Sequence, residues 1–423
     1  MTDTQLAALF FLQLAVILLV CRLVGWALHY AGQPQVVSEM VAGFLMGPSL
    51  FGLLAPGLQA ALFPPQTLRI IFVVSQLGLV LYMFCVGLEF RSDLIVKHAR
   101  RAAAVSIAGI AAPFILGGSL ALVLLRNGGF FTEQVQPFHA VLFVGAAMSI
   151  TAFPMLARII YERGIAGTAL GTLALAAGAM DDAAAWVILA IVVGSFTGSA
   201  VLAFSAAGGG LLYVLVVLTV VRPLLGRLNA LAERRGSMAP WMLATTLTVL
   251  AFGAWFTDSV GIYAVFGAFI LGAAMPRGLL TRELQRAIEP VTASLLVPLF
   301  FIYSGLNSRL GLVNSGWLWT VTLLVLLAAC VGKGVACWLA ARATGATPRD
   351  ALGVATLMNA RGLMELILLN IGLQRGLITP TLFTILVMMA IGTTLMAGPL
   401  FGMIYRRPFE TAPARPLAVG EAP

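Results

Sequence analysis

Six charged residues of this chain sit inside long apolar runs. They are Asp181 and Asp182 in LALAAGAMDDAAAWVILAIVV, Lys333 in LLVLLAACVGKGVACWLAA, Arg361 and Glu365 in ATLMNARGLMELILLN, and the shallower Glu39 in QVVSEMVAGFLMG. A charge at the centre of a bilayer costs roughly 2.5–3.5 kcal/mol even on the lenient insertion scale, so each of these needs a partner or a task. Neighbouring helical residues project about 100° apart, so Asp181 and Asp182 cannot both face one partner. One can meet Lys333 while the other turns to the Ser149 and Thr151 hydroxyls and to unwound backbone carbonyls. Such an oxygen set suits a small, hard cation. Once the cation leaves, the same carboxylate is a buried anion beside another anion, and a proton can neutralise it. One group that takes either ion, but not both, is the chemistry these residues point to.

These side chains need a membrane body to position them. Of 423 residues, 61% are hydrophobic and 10% charged, too little polar surface for a soluble body of this size. Thirteen apolar stretches are long enough to span a bilayer, at about residues 5–28, 36–54, 68–89, 101–125, 139–160, 167–195, 203–226, 239–256, 260–276, 288–306, 316–343, 350–373 and 379–405. The opening MTDTQLAALF has neither a basic leader nor a small-residue cleavage site, and reads as a retained first span. Cys21, Cys85, Cys330 and Cys337 all fall within spans, where packing is the expected role and no disulfide framework follows.

The net charge of +9 could suggest a nucleic-acid partner, but its placement argues for topology. With alternate connections assigned to one side, 19 of the 25 Lys and Arg residues collect there, against Arg69, Arg126, Arg309 and Arg375 opposite. That bias predicts a multi-pass protein of the cell membrane with its N-terminus outside and its C-terminus in the cytoplasm.

Segments recur between the two halves. AGFLMG at 42–47 resembles GAFILG at 267–272, and LYMFCVGLEFR at 81–91 resembles LFFIYSGLNSR at 299–309. The sequence therefore predicts two inverted repeats, spans 1–6 and 8–13, with span 7 as linker. Spans 5 and 12 occupy matching places, and both are interrupted. MSITAFP carries Ser149, Thr151 and Pro154, and MNARGLME carries Asn359, Arg361 and Gly362. Broken helices at membrane depth are tolerated beside a cavity or within protein, and paired breaks point to an ion site.

Other roles stand beside these. Lys333 and Asp181 can form a fixed brace between the halves instead of a proton-coupling pair. Arg361 and Glu365, four apart, can neutralise each other or help hold the broken helix open. Glu39 can complement a helix dipole or line a mouth. His29, His98 and His139 have no ligand spacing, so no resident metal or other cofactor is expected, and Asp182 is the predicted ligand of a monovalent cation.

At GQPQVVSEMVAGFLMGPS (32–49), VPLFFIYSGL (297–306), VGKGVACWLA (331–340) and MNARGLMELILLNIG (358–372), the chain resembles the monovalent cation:proton antiporter family. That family includes Kef-type potassium antiporters, NapA-like sodium antiporters and plant CHX exchangers. The resemblance implies an all-α, NapA-like antiporter fold over residues 1–405. It also implies a core domain with two crossed, broken helices that moves against a dimerisation domain, and hence a homodimer. By position, Asp182 matches the ion- and proton-binding aspartate and Asp181 the second acidic site. Lys333 matches its lysine partner, and Arg361 the basic residue of the second crossed helix. The Asp pair with Lys333 looks like the electrogenic sodium class, whereas span 12 looks like the potassium-linked CHX class. Kef-type members carry a nucleotide-binding regulatory domain. Here only the Pro/Ala-rich stretch 406–423 follows the last span, and it is expected to be a short disordered cytoplasmic tail with no nucleotide site.

The expected function is exchange of sodium or potassium for protons by alternating access, not catalysis. An intramembrane aspartyl protease would need carboxylates facing each other across helices, which neighbours on one helix do not provide. A cation channel would need several sites and a hydrated path, and a symporter of organic anions would use Lys333 and Arg361 to attract a carboxylate.

Overall fold

The computed structural model of the protein describes residues 2–30, 33, 35–89, 92–165, 168–196, 200–261 and 263–405. These residues are overwhelmingly helical. α1 (Asp3–His29) leads to α2 (Gln35–Met46), two short helices, α3 (Phe51–Leu54) and α4 (Pro56–Leu62), and α5 (Pro65–Glu89). α6 (Ser92–Asn127) precedes a discontinuous pair, α7 (Pro137–Ser149) and α8 (Phe153–Glu162), and then α9 (Ala169–Phe196). α10 (Ala200–Val216) passes through a π-helical turn into α11 (Arg222–Arg235). The second half contains α12 (Pro240–Ser259), α13 (Ala264–Ala274), α14 (Leu279–Val291), α15 (Val297–Leu306) and α16 (Gly316–Ala343). A second discontinuous pair, α17 (Pro348–Leu357) and α18 (Leu363–Gln374), precedes α19 (Pro380–Ile404).

Local sequence sets these boundaries. Pro stands in the first turn of α7, α17 and α19, where its missing amide hydrogen costs nothing. Thr347 and Thr379 cap α17 and α19 by accepting from Asp350 N and Leu382 N, and Ser315 caps α16 through Leu318 N. α11 stops at Gly236, which adopts φ 73°, a left-handed conformation that glycine enters without strain.

Helices cover all thirteen predicted stretches, which makes the chain a multi-pass membrane protein. Among the described residues, nine segments are long and apolar enough to cross a bilayer by length and composition. The other four stretches are the two discontinuous pairs, α9 and the 11-residue α13. A count of thirteen crossings therefore rests on sequence pattern as well as helix length. The expected tail, 406–423, lies outside the described residues.

Packing sorts the helices into two groups, each drawn from both halves of the sequence. α6 to α9 pack with α16 to α19, while α1, α2 and α5 pack with α12 to α15. The internal repeat reappears as a repeated contact. A Cβ at Gly47 would strike the backbone of Gly305, one at Gly272 would strike the Phe84 carbonyl a turn before Gly87, and one at Gly87 would press on the backbone of Gly272. Gly47 matches Gly272 and Gly87 matches Gly305 in the two sequence repeats. Glycine at all four places lets α2 approach α15, and α5 approach α13, backbone to backbone.

Candidate functional site

The two breaks meet at the centre of the first group. α7 ends when Ile150 turns to an extended conformation (φ −67°, ψ 132°), and α8 resumes at Phe153. α17 ends at Leu357, capped by Met358, and α18 resumes after Gly362. Ala152 N in the first break donates to Ala360 O in the second at 3.0 Å, so the two unwound segments satisfy each other. Unwinding leaves orphan carbonyls at the end of α7 and orphan amides at the start of α8, and the charged residues are arranged around them.

Asp181 and Asp182 lie near the middle of α9 and are 1% and 0% exposed; Lys333, Arg361 and Glu365 are each 0% exposed. As the helical geometry requires, the two aspartates diverge. Asp181 Oδ2 accepts from Lys333 Nζ at 3.2 Å and from the Thr151 hydroxyl. Asp182 turns to the other side, where Oδ1 accepts from Phe153 N, the first amide of α8, at 3.3 Å. That places an anion at a helix N-terminus, the favourable end of its dipole. Among the described residues, Asp182 Oδ2 and Asp181 Oδ1 have no hydrogen-bond partner.

The cations serve the opposite end of the same break. Lys333 Nζ also donates to Ser149 O and, at 3.1 Å, to Gly109 O of α6. The Arg361 guanidinium reaches from the second break to the carbonyls of Ala147 at 3.0 Å, Ile150 at 3.5 Å and Met148. The end of α7 therefore gives its carbonyls to two cationic side chains, which offset the negative pole of the helix. Glu365, in the first turn of α18, lies 3.6 Å from Arg361 Nη1. Its two oxygens have no hydrogen-bond partner among the described residues.

The predicted residues do gather at one place, but not all in the expected manner. The Lys333–Asp181 pair and the divergence of Asp182 follow the reading of the sequence. Arg361 does approach Glu365, yet its Nη1 and Nη2 donors go to the carbonyls of α7, while Nε has no hydrogen-bond partner among the described residues. The Ser149 hydroxyl donates back to Ala146 O at 3.0 Å, and it is the Ser149 carbonyl that meets Lys333. Thr151 Oγ1 lies against Asp181 and 3.4 Å from Met358 O. In this conformation neither hydroxyl is turned to Asp182. Glu39 lies apart on α2, where it accepts from Gln35 Nε2 at 3.1 Å.

Sequence reasoning missed Thr394 of α19. Its hydroxyl accepts from Arg361 N at 2.9 Å and lies 2.9 Å from Arg361 O, standing in for the helical partners that the break removes. The signal was a Thr393–Thr394 pair in the middle of the last apolar stretch.

Comparison with known proteins agrees with this architecture. The family model "Sodium/hydrogen exchanger, transmembrane" matches residues 5–407. The chain is 38% identical to the Na(+)/H(+) antiporter NhaS4 of Synechocystis sp., over 96% of this chain and 99% of that protein. It is 35% identical to Cation/H(+) antiporter 17 of Arabidopsis thaliana over 94% of this chain, and spans about half, 48%, of that relative's length. In three dimensions it matches the sodium proton antiporter MjNhaP1 from Methanocaldococcus jannaschii with a TM-score of 0.66, at 15% identity, covering 93% of this chain and 97% of that one. At that identity the likeness speaks for the fold alone, which is the antiporter fold expected from the sequence. With the match running through both halves and both broken helices, the chain belongs to the transmembrane sodium/hydrogen exchanger family.

Proposed function

We propose that this chain exchanges a monovalent cation, sodium or potassium, for protons across the membrane by alternating access, with Asp182 as the group both ions share. One observation carries the reading. Among the described residues, the buried cluster holds three carboxylates (Asp181, Asp182, Glu365) and two cations (Lys333, Arg361), so with every group ionised it is one positive charge short. A buried net charge is costly, and a single monovalent ion balances this one. Asp181 faces Lys333 and Glu365 faces Arg361, which leaves the deficit at Asp182, beside unwound backbone. A metal ion or a proton fills it equally well in charge, and occupancy by one excludes the other. The names of the relatives above support the same pair of ions.

Exchange then needs Asp182 to open to each side in turn. The division of the helices into two groups offers the surfaces for that motion. Lys333 gives the cycle a second charged group. If it stays charged while the metal ion crosses and releases a proton on the return, net charge moves and transport is electrogenic. The proposed orientation puts the N-terminus outside and the C-terminus in the cytoplasm, and the proposed assembly is a homodimer.

The test is reconstitution into liposomes carrying a luminal pH indicator, with gradients of sodium, potassium and lithium imposed in turn. The unmodified chain should change luminal pH with at least one of these ions. Asp182→Asn should fall to the level of protein-free liposomes. Retained exchange in that variant would reject Asp182 as the shared site, and cation flux indifferent to the proton gradient would point to a channel.

A further inference from the structure

A seam separates the two helix groups, and a few polar bonds cross it. Asn370 Nδ2 of α18 donates to Ser304 Oγ of α15 at 2.8 Å, and its second hydrogen goes to Leu366 O of its own helix. Close by in sequence, Arg309 N, just beyond α15, donates to Thr384 Oγ1 of α19 at 3.0 Å. Asn370, Ser304 and Thr384 are 6%, 2% and 0% exposed, so water does not compete for these groups. All three lie near helix ends on one side of the bundle: late in α15 and α18, early in α19. A third crossing bond, Gln33 Nε2 to Leu395 O at 2.9 Å, lies farther along α19.

Apolar side chains sliding past one another lose little at intermediate positions. An amide and a hydroxyl buried between helices behave differently, because they are satisfied in one register and left bare in its neighbours. The Asn370 side chain in the run LMELILLNIG is therefore a costly choice unless this register is worth holding.

We propose that the Ser304–Asn370 and Arg309–Thr384 bonds form a latch that closes this end of the seam, and that each transport cycle breaks it. The inference rests on alternating access between the two groups. Gln33, on the approach to α2, holds the seam nearer its other end. Releasing the first pair favours opening on their side, and releasing Gln33 favours the opposite one. None of these side chains touches the Asp182 cluster, so the latch sets the balance between states and not the affinity of the ion for its ligands.

Ser304→Ala, Asn370→Ala and their double variant test it, with exchange measured in right-side-out and inside-out vesicles. Loss of one buried hydrogen bond should change the ratio of the two apparent cation affinities by about 2- to 12-fold. Both single variants should move it in the same direction, and the double variant no further than the larger single one. Gln33→Ala should move it in the opposite direction. An unchanged ratio in both single variants, with exchange intact, overturns the latch. Hydrogen–deuterium exchange over 299–312 and 364–384 gives a second readout that needs no transport. It should rise in the double variant, and unchanged protection overturns the latch whether or not the chain exchanges ions. Raised protection loss in a chain that moves no cation would instead sink the antiport reading and leave the latch standing.

Discussion

The two helix breaks occupy matching places in the two halves, yet different chemistry satisfies them. At the first break, the carbonyls of Ala147, Met148, Ser149 and Ile150 accept from the charged groups of Arg361 and Lys333. At the second, the carbonyls of Met358, Ala360 and Arg361 face the Thr151 hydroxyl, the Ala152 amide and the Thr394 hydroxyl. One break is held by formal charge and the other by neutral dipoles. The two aspartates also sit on the first. A repeated backbone feature has thus been given two tasks: the α7–α8 break gathers the ionic groups, and the α17–α18 break anchors the arginine that serves it. Substitutions at each break should differ in size and in kind.

Arg361→Ala should produce the largest loss of stability. It strips donors from the carbonyls of α7 and leaves Glu365 buried without its cation. Removing one member of a buried ion pair costs about 3–5 kcal/mol, because the remaining charge stays desolvated. A steep fall in thermal stability in detergent is expected, with part of it restored in Arg361→Ala/Glu365→Gln. Arg361→Lys should recover little, since a point charge cannot span several carbonyls as a planar fork does. If Arg361→Ala proves mild, the contrast between a charged and a neutral break fails.

Lys333→Ala removes the other cation, and its signature should be electrical. In the proposed cycle Lys333 carries the second charge, so currents driven by an imposed membrane potential should shrink or vanish while some exchange persists. One charge crossing 100 mV corresponds to about 2.3 kcal/mol, well within reach of measurement. Pairing Lys333→Ala with Asp181→Asn should relieve much of the lost stability, as the orphaned carboxylate becomes neutral. Unchanged currents would make the pair a brace and nothing more.

How much of this was legible in the sequence depends on the kind of atom involved. The Lys333–Asp181 pair could be read because both charges stand in apolar runs and the burial cost obliges each to find a partner. The breaks could be read because Pro154 and the polar cluster at 359–362 interrupt otherwise apolar stretches. The partners of Arg361 could not. They are backbone carbonyls some 210 residues away, which carry no side-chain signature and become available only because α7 ends at Ser149. The lone i,i+4 neighbour, Glu365, drew attention because it is visible in the sequence. Thr394 was overlooked for a related reason: Thr is common in membrane helices, where its hydroxyl usually bonds one turn back, as this one also does to Ala390 O at 2.8 Å.

Thr394→Val tests the neutral break. The substitution keeps the shape and removes the group that serves both Arg361 N and Arg361 O. A buried amide left without an acceptor costs about 1–3 kcal/mol, a smaller loss than that of the ion pair. Thr394→Ser should restore most of it. Apparent cation affinity should move less than thermal stability, because Thr394 acts on the anchor of Arg361 and not on Asp182. A change in cation preference as large as that of an Asp182 variant would show that the second break belongs to the ion site after all.

Ser149→Ala should have the smallest effect, and it separates two ways in which that residue could matter. Its type and position beside the break make the hydroxyl an attractive cation ligand. In the structure the hydroxyl turns back on Ala146 O, a bond of a kind usually worth about 0.5–1.5 kcal/mol, and the carbonyl does the work of receiving Lys333. Alanine keeps that carbonyl and has the better helix propensity, so the net change in stability should stay below about 1 kcal/mol. Apparent affinities for sodium and potassium should stay close to those of the unmodified chain. A marked loss of cation affinity with unchanged stability would mean that the Ser149 hydroxyl rotates toward Asp182 when the cation binds. The charged break would then be remodelled by its ion, instead of standing ready for it.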